Sequence, residues 1–296
     1  MEDVTVEPAG ADVPEDPGGY GDRVRRALPA FFAPLEVEAV LPSTMLRAAE
    51  LAAGGAPEGA TVVADVQTAG RGRLDRTWAA PPGTSLLLTV VLRPALPAGT
   101  AWLAAAAAGV ALVDAVRELL ARPSGSAGVT QAVGLKWPND LVVGGRKAAG
   151  LLAEARVGGG RLEWVLLGIG VNVGQGPDGF PPELAGRATS LALAAGVPVG
   201  RAGLLRSWAG PFLDRYVALA AGDSARVLAD YHDRLDTLGR EVRADLLGAG
   251  PVSGTAVGLG PTGSLVIRTP AGRRVEVAAG DVRHLRAAPA SASGRP

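Results

Sequence analysis

The 296 residues carry 29 Lys plus Arg against 29 Asp plus Glu, so no overall field would hold the chain on DNA or on an anionic membrane. Cysteine is absent and histidine occurs only twice, at His232 and His284, which excludes a disulfide framework, a thiol nucleophile, a thiolate metal site and a multi-histidine metal site. The length suits one mid-sized domain and one small one.

In chain order, residues 1 to about 22 mix Glu, Asp, Pro and Gly without periodicity and read as disordered, as does the small-residue tail AAPASASGRP from Ala287. The start lacks the basic-then-apolar order of a secretory signal, which points to the cytoplasm. A short helix is expected from Gly21 to Phe32. A clearer one begins at Ser43 or Thr44, hydroxyl caps before MLRAAELAAGG, and capping is a sufficient reading of that pair. TVVADVQ from Thr61 and SLLLTVVLRP from Ser85 to Pro94 are strands, and Thr100 to Ala121 has the spacing of a long buried helix. Its most apolar part, Ala101 to Val113, is about 13 residues against the roughly 20 that span a bilayer.

Leu135 to Val143, Lys147 to Val157 and Arg161 to Val173 are three further strands joined through glycine pairs, a pattern of hairpins and hence of an antiparallel or mixed sheet. Arg201 to Ala221 and Ser224 to Leu235 are amphipathic helices suited to one face of it. Beyond Gly239, short strand-like runs broken by glycine and proline predict a small β-barrel.

Chemistry-bearing residues fall between these elements. GRGRLDRTW, Gly70 to Trp78, follows a strand and alternates Arg71, Arg73 and Arg76 with glycine; guanidinium forks match phosphate and carboxylate oxygens, although a solvated basic loop reads the same way. KWPND, Lys136 to Asp140, packs a cation, an aromatic, a rigid proline and two oxygen-bearing side chains into five residues, as would an edge strand entering a turn. Lys147 opens the apolar run KAAGLLAEA, where snorkelling to solvent is the ordinary role, and Gly150 within it leaves room for a neighbour. Asn172 ends GIGVNV, where an amide also suits a plain turn. Gly258 to Gly263 fits G-x-G-x-x-G, but Pro261 and the strand-like SLVIRT after it deny the helix a dinucleotide site requires, leaving a hairpin turn. There is no P-loop and no serine elbow.

The ordered set Ser43-Thr44, VQTAGRGRLDRTW, KWPND, RKAAGLLAE and GIGVNV resembles the biotin protein ligases, over roughly Leu35 to Arg286. The resemblance implies an α+β fold. A mixed or antiparallel sheet with flanking helices, like that of the class II aminoacyl-tRNA synthetases, forms a catalytic domain over 26–237, followed by an SH3-like barrel over 238–286, with 1–25 and 287–296 disordered. It implies that Ser43, Thr44, Gln67 and Gly70 meet the ureido end of biotin, beside the backbone of Arg71, while Leu152 and Gly168 line its rings and chain. Arg71, Arg73 and Lys147 would gather the biotin carboxylate and the α-phosphate of ATP. Trp78 and Asn172 would face the adenine, and Arg76, Lys136 and Asn139 would hold the nucleotide. Asp140 would receive the acceptor lysine.

ATP and Mg²⁺ are the implied cofactors, the metal ligands being unspecified. The implied partner is the biotin carboxyl carrier domain of acetyl-CoA or another acyl-CoA carboxylase, and the protein a monomer or homodimer. Some relatives carry a winged helix-turn-helix repressor domain; the acidic start of about 30 residues is too short for one, so an enzyme without a repressor role is expected. Two departures stand out: Met45 replaces the usual asparagine after Ser-Thr, near the biotin entrance, and Asp75 replaces a common glycine, placing a carboxylate between Arg73 and Arg76. A lipoate ligase shares the adenylate chemistry, but GRGR with KWPND favours biotin. A nucleic-acid-binding module is opposed by zero net charge and an aromatic content of only 4%.

Overall fold

A computed structural model of the chain describes residues 19–74, 76–121, 132–246, 250–278 and 281–284. The expected irregular start before Gly19, the tail after His284 and the carboxylate of Asp75 lie outside the described residues.

The first helix, α1 (Tyr20–Ala27), starts within the stretch that composition assigns to disorder and ends earlier than expected. Leu28 is already extended, at φ −97° and ψ 132°, because the following Pro29 disfavours a helical residue before it. Next come β1 (Leu35–Leu41), α2 (Thr44–Ala53), β2 (Thr61–Gln67) and β3 (Ser85–Leu92). The long helix α3 (Trp102–Ala121) has the length and composition of a membrane span, yet 67% of its most apolar window is buried inside the protein. It is the central core helix, packed against α5 (Arg201–Ala220) and α6 (Ser224–Asp233) and lying across the sheet.

The expected single strand from Leu135 to Val143 is two strands, β4 (Val133–Lys136) and β5 (Asp140–Val143), paired antiparallel with Lys136 opposite Asp140. Trp137, Pro138 and Asn139 form the reversal between them, since proline has no N–H to extend a ladder. The hairpins from β5 to β6 (Arg146–Gly158) and from β6 to β7 (Arg161–Asn172) turn on Gly144-Gly145 and Gly159-Gly160. All four glycines have positive φ, from 56° to 77°, as two-residue turns of this hand require.

The seven strands order as β1-β2-β3-β7-β6-β5-β4, with β1 and β2 parallel and the other neighbours antiparallel, so the sheet is mixed. Helix α5 presents Trp208, Phe212 and Tyr216 at four-residue intervals, stacked at centroid distances of 4.7 and 5.8 Å, as one apolar ridge against the core. A short helix, α4 (Leu191–Ala195), precedes it.

After Gly239 come β8 (Glu241–Asp245), β9 (Val252–Leu259), β10 (Leu265–Arg268), β11 (Arg274–Val277) and β12 (Asp281–His284). They form a second, antiparallel sheet in the order β11-β10-β9-β8-β12, the small barrel-like unit expected from the glycine-broken runs. The segment Gly260 to Ser264 is the β9–β10 hairpin turn rather than a dinucleotide loop, with Gly260 N–H donating to Ser264 O at 2.8 Å.

Candidate active site

Strand alternation divides the first sheet into two faces. Leu151 points toward α3, where it meets Gly109. Its neighbours Gly150 and Leu152 therefore face the other way. They lie in register with Gly170 and Gly168 of β7, and these in turn with Leu87 and Thr89 of β3. On that opposite face the three glycines form a shallow trough of side-chain-free backbone, bounded by α2 and by the loop after β2 and covered by Trp78, Lys147 and Met45.

The polar end of the trough lies at the start of α2. Ser43 has the extended backbone of an N-cap, φ −162° and ψ 135°, but its side chain makes no cap hydrogen bond, so capping does not explain it. Gln67 caps the helix instead, its Oε1 accepting from Thr44 N–H at 2.7 Å and from the Thr44 hydroxyl at 3.0 Å. Thr89, wholly buried in β3, donates to Thr44 Oγ1 at 2.8 Å. Ser43 is 1% exposed and its Oγ has no hydrogen-bond partner among the described residues. A buried hydroxyl without a partner costs about 1–3 kcal/mol, so this atom is suited to a polar ligand group.

Trp78 occupies the middle. A Cβ built on Gly170 would lie 2.8 to 3.1 Å from three atoms of its indole, and one built on Gly150 would lie 3.2 Å both from Trp78 Cζ3 and from Lys147 Nζ. The room left at Gly150 is thus taken by Trp78 and Lys147, whose ammonium stands 5.7 Å from the indole centroid. Trp78 is held by the arginine loop, which is a small hairpin of its own: Trp78 N–H donates to Gly70 O at 2.9 Å, Arg71 bridges Thr77, and Gly72 N–H donates to Arg76 O at 2.7 Å. Leu74 at the tip has φ 55° and is 46% exposed. An open pocket of about 400 Å³ runs along this loop, lined by Gly70, Arg71, Gly72, Arg76 and Thr77 together with Thr68 and Ala69.

The charged end gathers at the β4–β5 turn. Lys147 Nζ pairs with Asp140 Oδ1 at 2.7 Å, and Arg73 Nη1 donates to Asn139 Oδ1 at 3.4 Å. The Asn139 amide in turn donates to Leu151 O at 2.6 Å. Arg71 pairs instead with Glu154 at 3.1 Å, on the same face but four residues along β6 from Gly150, about 13 Å at strand spacing. Two of the three expected cations therefore pair with adjacent residues of one turn, Arg73 with Asn139 and Lys147 with Asp140, and the third pairs farther along β6.

The turn that carries Asn139 and Asp140 is anchored from behind. Trp137 is 4% exposed; its backbone N–H donates to Thr237 Oγ1 at 2.9 Å and its indole N–H to Gly263 O, in the second sheet's hairpin, at 2.9 Å. The Tyr231 hydroxyl donates to Pro138 O at 2.8 Å, and burial, reinforced by the Asp140 charge, pushes that phenol well above its ordinary pKa. His284 Nε2 lies 3.1 Å from Thr237 Oγ1. Burial first, then the Lys136 charge, pushes this imidazole down to about 4, against the opposing pull of Asp236. At neutral pH the ring is uncharged and shares one hydrogen bond with the Thr237 hydroxyl.

The remaining expected residues are more peripheral. Asn172, 6% exposed, donates its amide to Thr189 O at 3.1 Å, tying the segment before α4 to the sheet. Thr189 N–H also bonds Lys147 O at 2.9 Å, so that segment fixes the backbone of the site lysine. The Arg76 side chain is exposed at the loop. The sequence by itself does not single out Thr89, Gly170 or Glu154. A threonine inside SLLLTVVL, and two glycines at strand period in GIGVNV, are the available signals; Glu154 offers none, since its partner is remote in sequence.

Among the described residues no group of three His, Asp or Glu side chains is arranged to hold a metal ion. The expected Mg²⁺ therefore finds no protein ligand set among them.

Comparison with known proteins fits this geometry. The sequence pattern of the Biotin/lipoate A/B protein ligase family matches residues 37–172, and that of the Biotin protein ligase C terminal domain matches 237–285. The chain is 37% identical over 239 residues to the Biotin--[acetyl-CoA-carboxylase] ligase of Mycobacterium tuberculosis, covering 80% of this chain and 84% of that protein. It is 36% identical over 230 residues to the Bifunctional ligase/repressor BirA of Bacillus subtilis, covering 78% and 68% respectively. The solved structure of the Aquifex aeolicus biotin protein ligase in complex with biotin and ATP superimposes with a TM-score of 0.69 at 26% identity, over 86% of this chain and all of that one. The chain belongs to the biotin protein ligase family.

Proposed function

We propose that this protein joins biotin to ATP as biotinyl-5′-AMP and then transfers the biotinyl group to a lysine amine of a biotin carboxyl carrier domain. The observation that carries the residue assignment is the trough itself. It has a glycine floor, a partnerless buried hydroxyl at Ser43 on one end, and the Arg73, Asn139, Lys147 and Asp140 cluster on the other.

Biotin lies with its ureido group at Ser43, Thr44, Gln67 and Gly70, and its ring and chain over Gly168 and Leu152. Its carboxylate points to Lys147 and the arginine loop. Attack of that carboxylate on the α-phosphorus brings like charges together. Arg71, Arg73 and Lys147 offset the repulsion, each charge-assisted hydrogen bond contributing about 1.5–3 kcal/mol where water is excluded. A carboxylate oxygen bonds to phosphorus and pyrophosphate leaves. Arg76, Trp78, Lys136, Asn139 and Asn172 hold the nucleotide, and Mg²⁺, if bound with it, would supply further neutralisation of phosphate charge.

In the second step the acceptor amine attacks the acyl carbon, a C–N bond forms, and AMP departs with the electron pair of the former acyl–oxygen bond. A lysine of ordinary pKa near 10.4 costs about 4.6 kcal/mol to deprotonate at pH 7. Asp140, at the mouth of the trough, orients that amine and accepts its proton. Two functional units, 26–237 and 238–286, a cytoplasmic location, and an acceptor in acetyl-CoA or another acyl-CoA carboxylase go with this reading. Its support is the pair of family matches, over residues 37–172 and 237–285.

The test is incubation of the purified chain with biotin, Mg·ATP and a carrier domain. Mass spectrometry should detect one added biotinyl group on the carrier lysine, and none when ATP is omitted. A carrier that stays unmodified, or is modified with lipoate in preference to biotin, refutes the proposal.

A further inference from the structure

Met45 is the second residue of α2 and only 4% exposed. A Cβ built on Gly168 would lie 2.6 Å from Met45 Sδ and 3.2 Å from its Cγ, so the thioether rests directly on the trough floor. The same side chain belongs to a small apolar cluster with Val62, Val91 and Leu166, against which Leu152 packs. It therefore connects the polar Ser43-Thr44 step to the Gly168 and Leu152 surface. The side chain is packed among apolar neighbours there.

We infer that Met45 is a specificity-determining residue, setting the width and apolarity of the ring subsite between Ser43 and Gly168. This rests on the proposal that biotin binds in the trough. A long unbranched thioether fills an irregular gap closely, and at packed-interior density a missing or misplaced group is felt directly. One ring atom more or less in such a subsite changes discrimination by about 10- to 200-fold. A Met45 wall should therefore favour the fused two-ring acid over its single-ring analogue desthiobiotin.

The experiment compares wild type, Met45→Ala and Met45→Leu, measuring KM for biotin, for desthiobiotin and for ATP, with Tm recorded for each. Direct binding of biotin by calorimetry runs alongside. Met45→Ala is expected to raise KM for biotin about tenfold, leave KM for ATP and kcat within threefold, and reduce the preference for biotin over desthiobiotin at least fivefold. Met45→Leu keeps volume and apolarity, so it guards against a variant that fails to fold; it is expected to weaken biotin binding about threefold with Tm nearly unchanged. Unaltered biotin affinity and unaltered discrimination in a folded, active Met45→Leu or Met45→Ala protein would overturn this inference alone. Wild-type protein that neither binds nor consumes biotin would overturn the functional proposal beneath it.

Discussion

Replacing Gly170 by alanine isolates the role of the trough floor. The new methyl would lie 2.8, 2.9 and 3.1 Å from Cε2, Cζ2 and Cδ2 of Trp78, a rigid ring that must lift by several tenths of an ångström. Gly170 lies two residues before the end of β7, paired to both Leu87 and Gly150, so alanine itself is compatible with the backbone and the cost is one of overpacking. Such cores lose about 1–3 kcal/mol, or roughly 2–10 °C in Tm for a domain of this size. Displacing a positioning ring by up to an ångström costs about a hundredfold in rate.

Thermal and urea unfolding would give the first number, and biotin-dependent pyrophosphate release the second. A double-mutant cycle with Trp78→Ala assigns the cause: in that background Gly170→Ala should be nearly neutral. Should its penalty persist without the indole, or should pyrophosphate release be untouched in the single variant, the reasoning from Trp78 and the glycine floor is refuted.

Ser43→Ala should raise the stability of the ligand-free protein by about 1–3 kcal/mol, because a partnerless buried hydroxyl is removed and no cap hydrogen bond is lost, whereas loss of an ordinary N-cap costs about 1 kcal/mol. KM for biotin should nonetheless rise about tenfold; denaturant midpoints and initial rates separate the two effects. Trp137→Phe keeps the ring but removes the donor to Gly263 O, leaving a buried carbonyl unpaired at a cost of about 1–3 kcal/mol, and should lower kcat by loosening the turn under Asn139 and Asp140. For His284 the folded pKa of about 4 lies below the ordinary imidazole value of 6.5. The unfolded chain therefore binds the extra proton between those values, and stability, full above pH 6.5, declines as pH falls toward 4. The limit is about 3 kcal/mol, reduced by the water reaching a ring 19% exposed. Urea titrations at about pH 7 and about pH 5 should show a smaller loss in His284→Asn.

Much of this architecture is legible because its signals are local. Glycine pairs at 144-145 and 159-160 dictate the hairpins, and the Trp102–Ala121 spacing dictates a buried helix. Strand β1 escapes notice because LEVEAVL carries two glutamates on a half-covered edge, where burial leaves a weak apolar alternation. The division of β4 from β5 is hidden because Trp137 and Leu135 both read as strand residues, and only the proline between Trp137 and Asn139 hints at the reversal. In the site, motif order locates the participants but not their pairings. That Arg71 would stand at Glu154, or that the second sheet's Gly263 would hold Trp137, depends on chain segments far apart in sequence. Ser43 illustrates the converse: a sequence-perfect cap whose hydroxyl does no capping, because Gln67 reaches the helix start first.

The central claim is that cations at one end of a glycine-floored trough join biotin's carboxylate to the α-phosphate. Isotope exchange between labelled pyrophosphate and ATP, with and without biotin and in the absence of any carrier, measures that step alone. Wild type should exchange only when biotin is present, and Lys147→Ala and Arg73→Ala should each lose at least a hundredfold while remaining folded. Exchange that proceeds equally without biotin, or at full rate in both variants, would contradict the account.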